Sequence, residues 1–262
     1  MNKDLIRVWL NVLAFAVTLT VNGLANALPL NNLTTGEVSD SFDVFFVPAA
    51  YVFSIWGLIY LALLGFIIYQ ILPAQRENPR LRKIGYWFVA SCAANSAWIF
   101  LWHYQIFPLT IVAMLCLLAS LILIYLNLDI NRQKVAQAER WLVDFPFRLY
   151  LGWVSVATIA NASSLLEFLG WGGWGLAPEI WAVIMLAVGV ILAGVVAYTR
   201  RDVVFMSVFI WAYIGIAVAQ KEALMVVFSA WLGAVILAIF VLMISLNMLP
   251  TFFSKPKPKL RG

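Results

Sequence analysis

The sequence predicts an all-α fold: a polytopic transmembrane helix bundle of about eight helices with both termini in the cytoplasm. Three observations carry this. Apolar residues make up 64% of the 262-residue chain and charged residues 11%, too few charges to cover a soluble fold of that length. The apolar stretches run about 20 residues without the alternation of barrel strands, and in lipid such a stretch satisfies its own backbone only as a helix. All but one of the 17 Lys and Arg residues fall at the termini, near helix entries or in connections that one side of an even-numbered bundle would share.

The first helix is expected over Val8–Leu28, behind Lys3 and Arg7. The run ending in Ala25-Asn26-Ala27 also fits a cleaved signal peptide, but its length and its two asparagines, Asn11 and Asn22, favour retention. A connection from Pro29 to Val47 follows, with Glu37, Asp40 and Asp43 and no cation; Asn32-Leu33-Thr34 within it matches a glycosylation acceptor. The second helix, Ala49–Leu72, is left through Arg76, Arg80, Arg82 and Lys83. Ile84–Leu101 and Phe107–Leu128 come next, then a connection with Arg132, Lys134 and Arg140. The fifth helix, Pro146–Leu169, has Arg148 and Glu167 at opposite ends, where each can snorkel to an interface. Ile180–Tyr198, Val203–Gln220 and Ala223–Met248 complete the set, separated by Arg200-Arg201 and by Lys221-Glu222. Lys255, Lys257, Lys259 and Arg261 make the C-terminal tail basic.

The formal charge of +5 does not read as a nucleic-acid site, because the cations lie in short clusters between apolar segments. Cys92 and Cys116 lie inside apolar segments without metal-ligand spacing and read as packing residues. Mid-membrane ionisable groups, the usual mark of a proton-coupled pump or a retinal Schiff base, are missing from the sequence pattern. The one histidine, His103, cannot build a zinc or bis-histidine haem site and reads as an interfacial residue. No Ser/His/Asp constellation or phosphate loop occurs, so the sequence names no catalytic residue.

The chain holds 12 tryptophans. Trp9, Trp141, Trp171, Trp174 and Trp181 fit an interfacial belt. Four others lie deeper, in aromatic stripes at helical spacing: Phe53, Trp56 and Tyr60 on the second helix; Asn95, Trp98 and Trp102 on the third; Tyr150, Trp153, Ala157 and Asn161 on the fifth. An asparagine on two of these stripes argues that they face inward, since lipid leaves an amide unpaired. Periodicity leaves two outcomes open, a packed aromatic core or a flat-walled pocket.

These same residues resemble the TspO/MBR family, the tryptophan-rich sensory or translocator proteins. The second-helix signature is similar to Pro48-Ala49-Ala50-Tyr51-Val52-Phe53-Ser54-Ile55-Trp56-Gly57-Leu58-Ile59-Tyr60. The third-helix pattern is similar to Asn95-Ser96-Ala97-Trp98 with Trp102 and His103, and the fifth to Tyr150, Trp153 and Asn161. Departures are Ala49 for a second proline, Tyr51 for a usual tryptophan, a shortened Phe53-to-Trp56 spacing and Leu149 for a proline. The resemblance covers roughly residues 5–168. It implies a five-helix bundle over residues 1–172; the three additional helices over 173–250 and the basic cytoplasmic tail over 251–262 lie beyond it. It further implies that Phe53, Trp56, Tyr60, Asn95, Trp98, Trp102, Tyr150, Trp153, Ala157 and Asn161 line a ligand pocket lidded by residues 30–47.

The ligand so implied is a tetrapyrrole (protoporphyrin or haem) or a sterol-like lipid, bound for sensing or transport, with no obligatory cofactor and no metal. Two other functions stay open: a permease or membrane assembly factor, and light- or oxygen-dependent tetrapyrrole degradation. The expected setting is a bacterial cytoplasmic membrane. A homodimer through the third helix is implied as well, with Ala90/Ala94 and Ala93/Ala97 as its groove. The small residues Gly189/Ala193/Ala197 and Ala230/Ala234/Ala238 offer similar grooves, and packing within the chain is the alternative use for all of them. Val196-Ala197-Tyr198-Thr199-Arg200 also matches a cholesterol-recognition pattern.

Overall fold

Eight long helices occupy the eight predicted segments. In the computed structural model, which describes residues 3–28 and 30–248, they are α1 (Lys3–Ala27), α2 (Ile55–Ile71), α3 (Trp87–His103), α4 (Phe107–Asn127), α5 (Phe145–Phe168), α6 (Pro178–Arg200), α7 (Val203–Ala219) and α8 (Leu224–Ser245). No strand occurs among the described residues. The basic tail with Lys255, Lys257, Lys259 and Arg261 lies outside them. Six helices, with α2 counted from Ala50 to include the 3-10 turn that leads into it, are long and apolar enough to cross a membrane; α3 and α7, at 17 residues each, fall just short of that length.

The positions of the connections settle the path of the chain. Arg7 Nη2 donates to Arg76 O at 2.9 Å and Arg82 pairs with Asp4 at 2.6 Å, so the start of α1 and the α2–α3 connection share one end of the bundle. Arg80 meets Asp144 at 2.5 Å, Arg148 meets Asp202 at 2.8 Å and Arg200 meets Asp129 at 2.8 Å, which adds the α4–α5 and α6–α7 connections to that end. At the other end Asn31 donates to His103 O, Asp43 N–H to Glu167, and Gln220 to Val47 O. The chain therefore runs between the two ends eight times, α3 and α7 included. Lys221 is the one Lys or Arg in the connections of the second end, so the charge asymmetry of the sequence is an asymmetry in space.

Helices α1 to α5 close into a ring in the order α2, α1, α3, α4, α5 and back to α2. Helix α7 docks on α5 and on the 3-10 turn Ala50–Ser54 that leads into α2, while α6 and α8 pack against α7 and against each other. Tyr213 of α7 is completely buried and its hydroxyl donates to Leu186 O at 2.6 Å. It fits because Gly189 and Gly233 flank it; a Cβ at Gly189 would collide with the Tyr213 hydroxyl. The small residues Gly189, Ala193, Ala197, Ala230 and Ala234 are thus used for packing inside the chain, whereas Ala90, Ala93 and Ala97 of α3 are exposed.

Two expectations about charged groups change. Arg148 does not snorkel: it pairs with the fully buried Asp202, which also accepts from Tyr125 Oη at 2.8 Å and caps α7 through Phe205 N–H at 3.1 Å. Arg200, the last residue of the cholesterol-type pattern, is committed to Asp129 and lies over the Tyr125 ring at 5.6 Å. Both pairings join residues more than 50 positions apart, beyond the reach of any local pattern.

Candidate functional site

The three aromatic stripes converge inside the ring of α1 to α5. Seven of the ten residues singled out from the sequence, Phe53, Trp56, Trp98, Trp102, Trp153 and Ala157 with Asn161, line one cavity. Its walls come from the turn before α2 and from α2, α3, α4 and α5, and its roof from Thr35, Ser39, Val47 and Pro48 of the connection predicted as a lid. The cavity is small, about 60 Å³.

The rings are arranged as facing plates and edges. Trp98 and Trp102 stack at 5.1 Å with 20° between planes, and Trp56 stacks on Tyr60 at 5.5 Å and 19°, both pairs at helical i, i+4 spacing. Trp153 stands edge-on to Trp56 at 6.2 Å and to Phe53 at 5.9 Å. The polar groups hold these rings in place. Trp98 Nε1 donates to Asn161 Oδ1 at 3.3 Å, and Asn161 Nδ2 donates to Thr110 Oγ1 at 2.9 Å, so α3, α5 and α4 are locked by one chain of bonds. The indole N–H of Trp153 is buried and has no partner.

The remaining three residues, Tyr60, Asn95 and Tyr150, lie beside the cavity rather than on it. Asn95 is the centre of a buried relay: it accepts from Asn22 Nδ2 at 2.7 Å and donates to Tyr150 Oη at 2.9 Å, linking α1, α3 and α5. The buried Tyr60 hydroxyl has no hydrogen-bond partner. Asn22 had shown as a polar residue inside an apolar helix, and its partner explains why α1 carries it.

The lid is a short helix, Thr35–Asp40, started by a reciprocal capping box between Thr34 and Glu37. These bonds to Thr34 N–H and Oγ1, each 2.7 Å, hold the Glu37 carboxyl below its ordinary range. Beneath the lid, His103, the last residue of α3, is completely buried. Its Nδ1 lies 3.3 Å from Leu30 O, which can only accept, so Nδ1 carries the proton and Nε2 accepts from Thr35 Oγ1 at 3.0 Å. Trp102 Nε1 donates to Thr35 O at 3.2 Å, and Asn31 Nδ2 to His103 O at 3.1 Å. Four hydrogen bonds therefore tie the lid to the end of α3. The signal in the sequence was faint: a lone histidine at a helix end, opposite a connection rich in hydroxyls.

The arrangement offers flat apolar walls and a latched cover, with an unpartnered donor, the Trp153 N–H, buried in the wall. A family model described as TSPO-like protein matches residues 8–243, a span that takes in α6 to α8 as well as the five helices around the cavity. No curated protein and no solved structure matches the chain. The match extends over most of the sequence and agrees with the TspO/MBR resemblance of the second, third and fifth helices: the chain belongs to the TSPO-like protein family.

Proposed function

We propose that this TSPO-like multi-pass membrane protein binds a flat hydrophobic ligand, a tetrapyrrole such as protoporphyrin or a sterol-like lipid, in the tryptophan-walled cavity, for sensing or transport. The observation that carries this is the convergence of aromatic faces from three helices on one covered cavity whose lining includes Trp153, with its unpartnered indole N–H. A buried donor without a partner is costly, and a ligand carbonyl or carboxylate would satisfy it. The polar lining consists of the hydroxyls of Thr35, Ser39 and Ser164 and the amide of Asn161, groups suited to orienting a ligand rather than to acid–base chemistry.

At about 60 Å³ the closed cavity is far below the roughly 300–1,000 Å³ of small-molecule sites. Binding on this reading requires the Thr35–Asp40 lid to lift, so the latch to His103 is the entry step. The one-sided basic charge supports a cytoplasmic position for the end of the bundle that holds the start of α1, and hence a lid on the outer face of a bacterial cytoplasmic membrane.

The test is titration of the purified protein with protoporphyrin. Each aromatic contact adds about 0.5–1.5 kcal/mol beyond burial, so Trp56→Phe with Trp153→Phe weakens binding by about 1–3 kcal/mol, roughly fivefold to 150-fold in Kd. Phenylalanine keeps most of the volume. A folded double variant with the parent's affinity removes the two residues from the site, and a parent that binds no tetrapyrrole removes that ligand class.

A further inference from the structure

A second, larger cavity of about 480 Å³ opens at the lid end, between the lid segment 43–46, the last turn of α5 and the first turns of α6. Its size falls in the range of small-molecule sites, and it is separate from the tryptophan-walled one. Phe46 and Ser163 line it, while their chain neighbours Val47 and Ser164 line the other, so the lid segment and α5 form a shared partition.

The charge in this cavity has one sign. Asp43 and Glu167 line it and no Lys, Arg or His does. Glu167 Oε1 accepts from Asp43 N–H at 3.0 Å, which fixes both residues at the mouth. The carboxyl end of α5 adds partial negative charge, and Glu179 offsets the positive end of α6. Trp171 and Trp181, their centroids 4.7 Å apart, form the aromatic wall on the α5–α6 side, and Phe45 and Phe46 face the cavity from the lid segment. The Trp181 N–H is already used, donating to Gly173 O at 2.8 Å, so the ring itself is what Trp181 offers a ligand. Trp174 packs on both at 5.4 and 5.6 Å, from a backbone held at φ 53°, a left-handed conformation unusual for so bulky a residue. Leu176, Pro178 and Met185 supply apolar surface.

Carboxylates beside tryptophan rings are the recognition chemistry of organic cations. We propose that this cavity binds an organic ammonium ion with an apolar body, the nitrogen at Asp43 and Glu167 and the body against Trp171 and Trp181. A zwitterionic lipid headgroup fits less well, because its phosphate would enter a carboxylate-lined site with no cation to receive it. The proposal does not depend on what the inner cavity binds.

The experiment is isothermal titration of the full-length protein in a maltoside detergent with benzyltrimethylammonium, alongside benzenesulfonate as an aromatic anion. Saturable binding of the cation alone is expected, weakening as salt is raised because the carboxylates are exposed. Asp43→Asn with Glu167→Gln keeps the backbone contact and the amide acceptor, and is expected to weaken the cation at least tenfold. Trp171→Leu is expected to weaken it about fivefold, and Trp56→Phe, in the inner cavity, to leave it unchanged. Affinity is expected to be equal in phosphatidylcholine nanodiscs. The proposal is overturned by any of four results: no saturable binding, equal binding of the anion, full affinity in the double carboxylate variant, or loss of binding in phosphatidylcholine, which would assign the cavity to a lipid headgroup.

Discussion

The latch on the lid is open to a quantitative test. His103→Leu removes the donor to Leu30 O and the acceptor for Thr35 Oγ1, while keeping an apolar group in a completely buried position. A neutral intramolecular hydrogen bond contributes about 0.5–1.5 kcal/mol net, so the two together hold the lid by about 1–3 kcal/mol. At about 1.4 kcal/mol per factor of ten, the open fraction rises roughly fivefold to 150-fold. Hydrogen–deuterium exchange reads that fraction directly where opening is fast and local. Peptides covering residues 30–42 should exchange faster by this factor, and peptides from the middle of α5 should not change. His103→Asn can place an amide N–H near the Nδ1 position and loses only the Thr35 contact; its acceleration should fall between parent and His103→Leu. Thr35→Val removes the same single bond from the other side and should match His103→Asn. If residues 30–42 exchange in folded His103→Leu as they do in the parent, the latch is not what holds the lid. If α5 accelerates equally, the histidine is a general core residue. Should the lid loosen while the association rate of protoporphyrin stays the same, lid lifting is not the entry step.

Three other outcomes follow from the geometry. Because the folded Glu37 carboxyl titrates below its ordinary 4.5, the capping box contributes above that value and is lost as pH falls through the lower folded pKa; exchange in the Thr35–Asp40 helix should rise as pH falls below 4.5, and Glu37→Ala should abolish this pH dependence. Asp144→Leu removes the short partner of Arg80, 9% exposed, and leaves it the longer contact to Glu139 at 3.5 Å and Leu128 O; it should cost stability by less than the about 3–5 kcal/mol of a fully unpaired buried charge, while Arg80→Met with Asp144→Leu should recover most of the loss; equal losses in the two variants would show that the pair itself is not the cause. Gly189→Ala should lower the melting temperature markedly through its clash with the Tyr213 hydroxyl, and Tyr213→Phe, which alone costs about 0.5–1.5 kcal/mol, should be less harmful in the Gly189→Ala background than in the parent.

The eight helices were legible in the sequence because lipid imposes a length and an apolar composition on each crossing, and no local alternative satisfies the backbone there. The inward direction of the aromatic stripes was legible for a related reason: Asn95 and Asn161 need partners that lipid lacks, and each has them, in Asn22 and Tyr150 for the one and in Trp98 and Thr110 for the other. What the stripes enclose was not legible. A period of 3.6 residues sets the direction of a side chain but not the distance between helix axes, so only the packed ring separates the cavity residues Trp56, Trp98 and Trp153 from Tyr60 and the relay residues Asn95 and Tyr150 beside it. The same holds for His103 against Leu30 and Thr35, for Arg148 against Asp202, and for the glycines that make room for Tyr213. Each of these depends on which parts of the chain meet after folding, and pairs separated by tens of residues leave no mark on local composition or spacing. The sequence by itself determined that the chain crosses a membrane, and which faces turn inward. Only the tertiary structure decided that those faces stop short of closing, leaving a covered cavity, because that depends on contacts between distant segments.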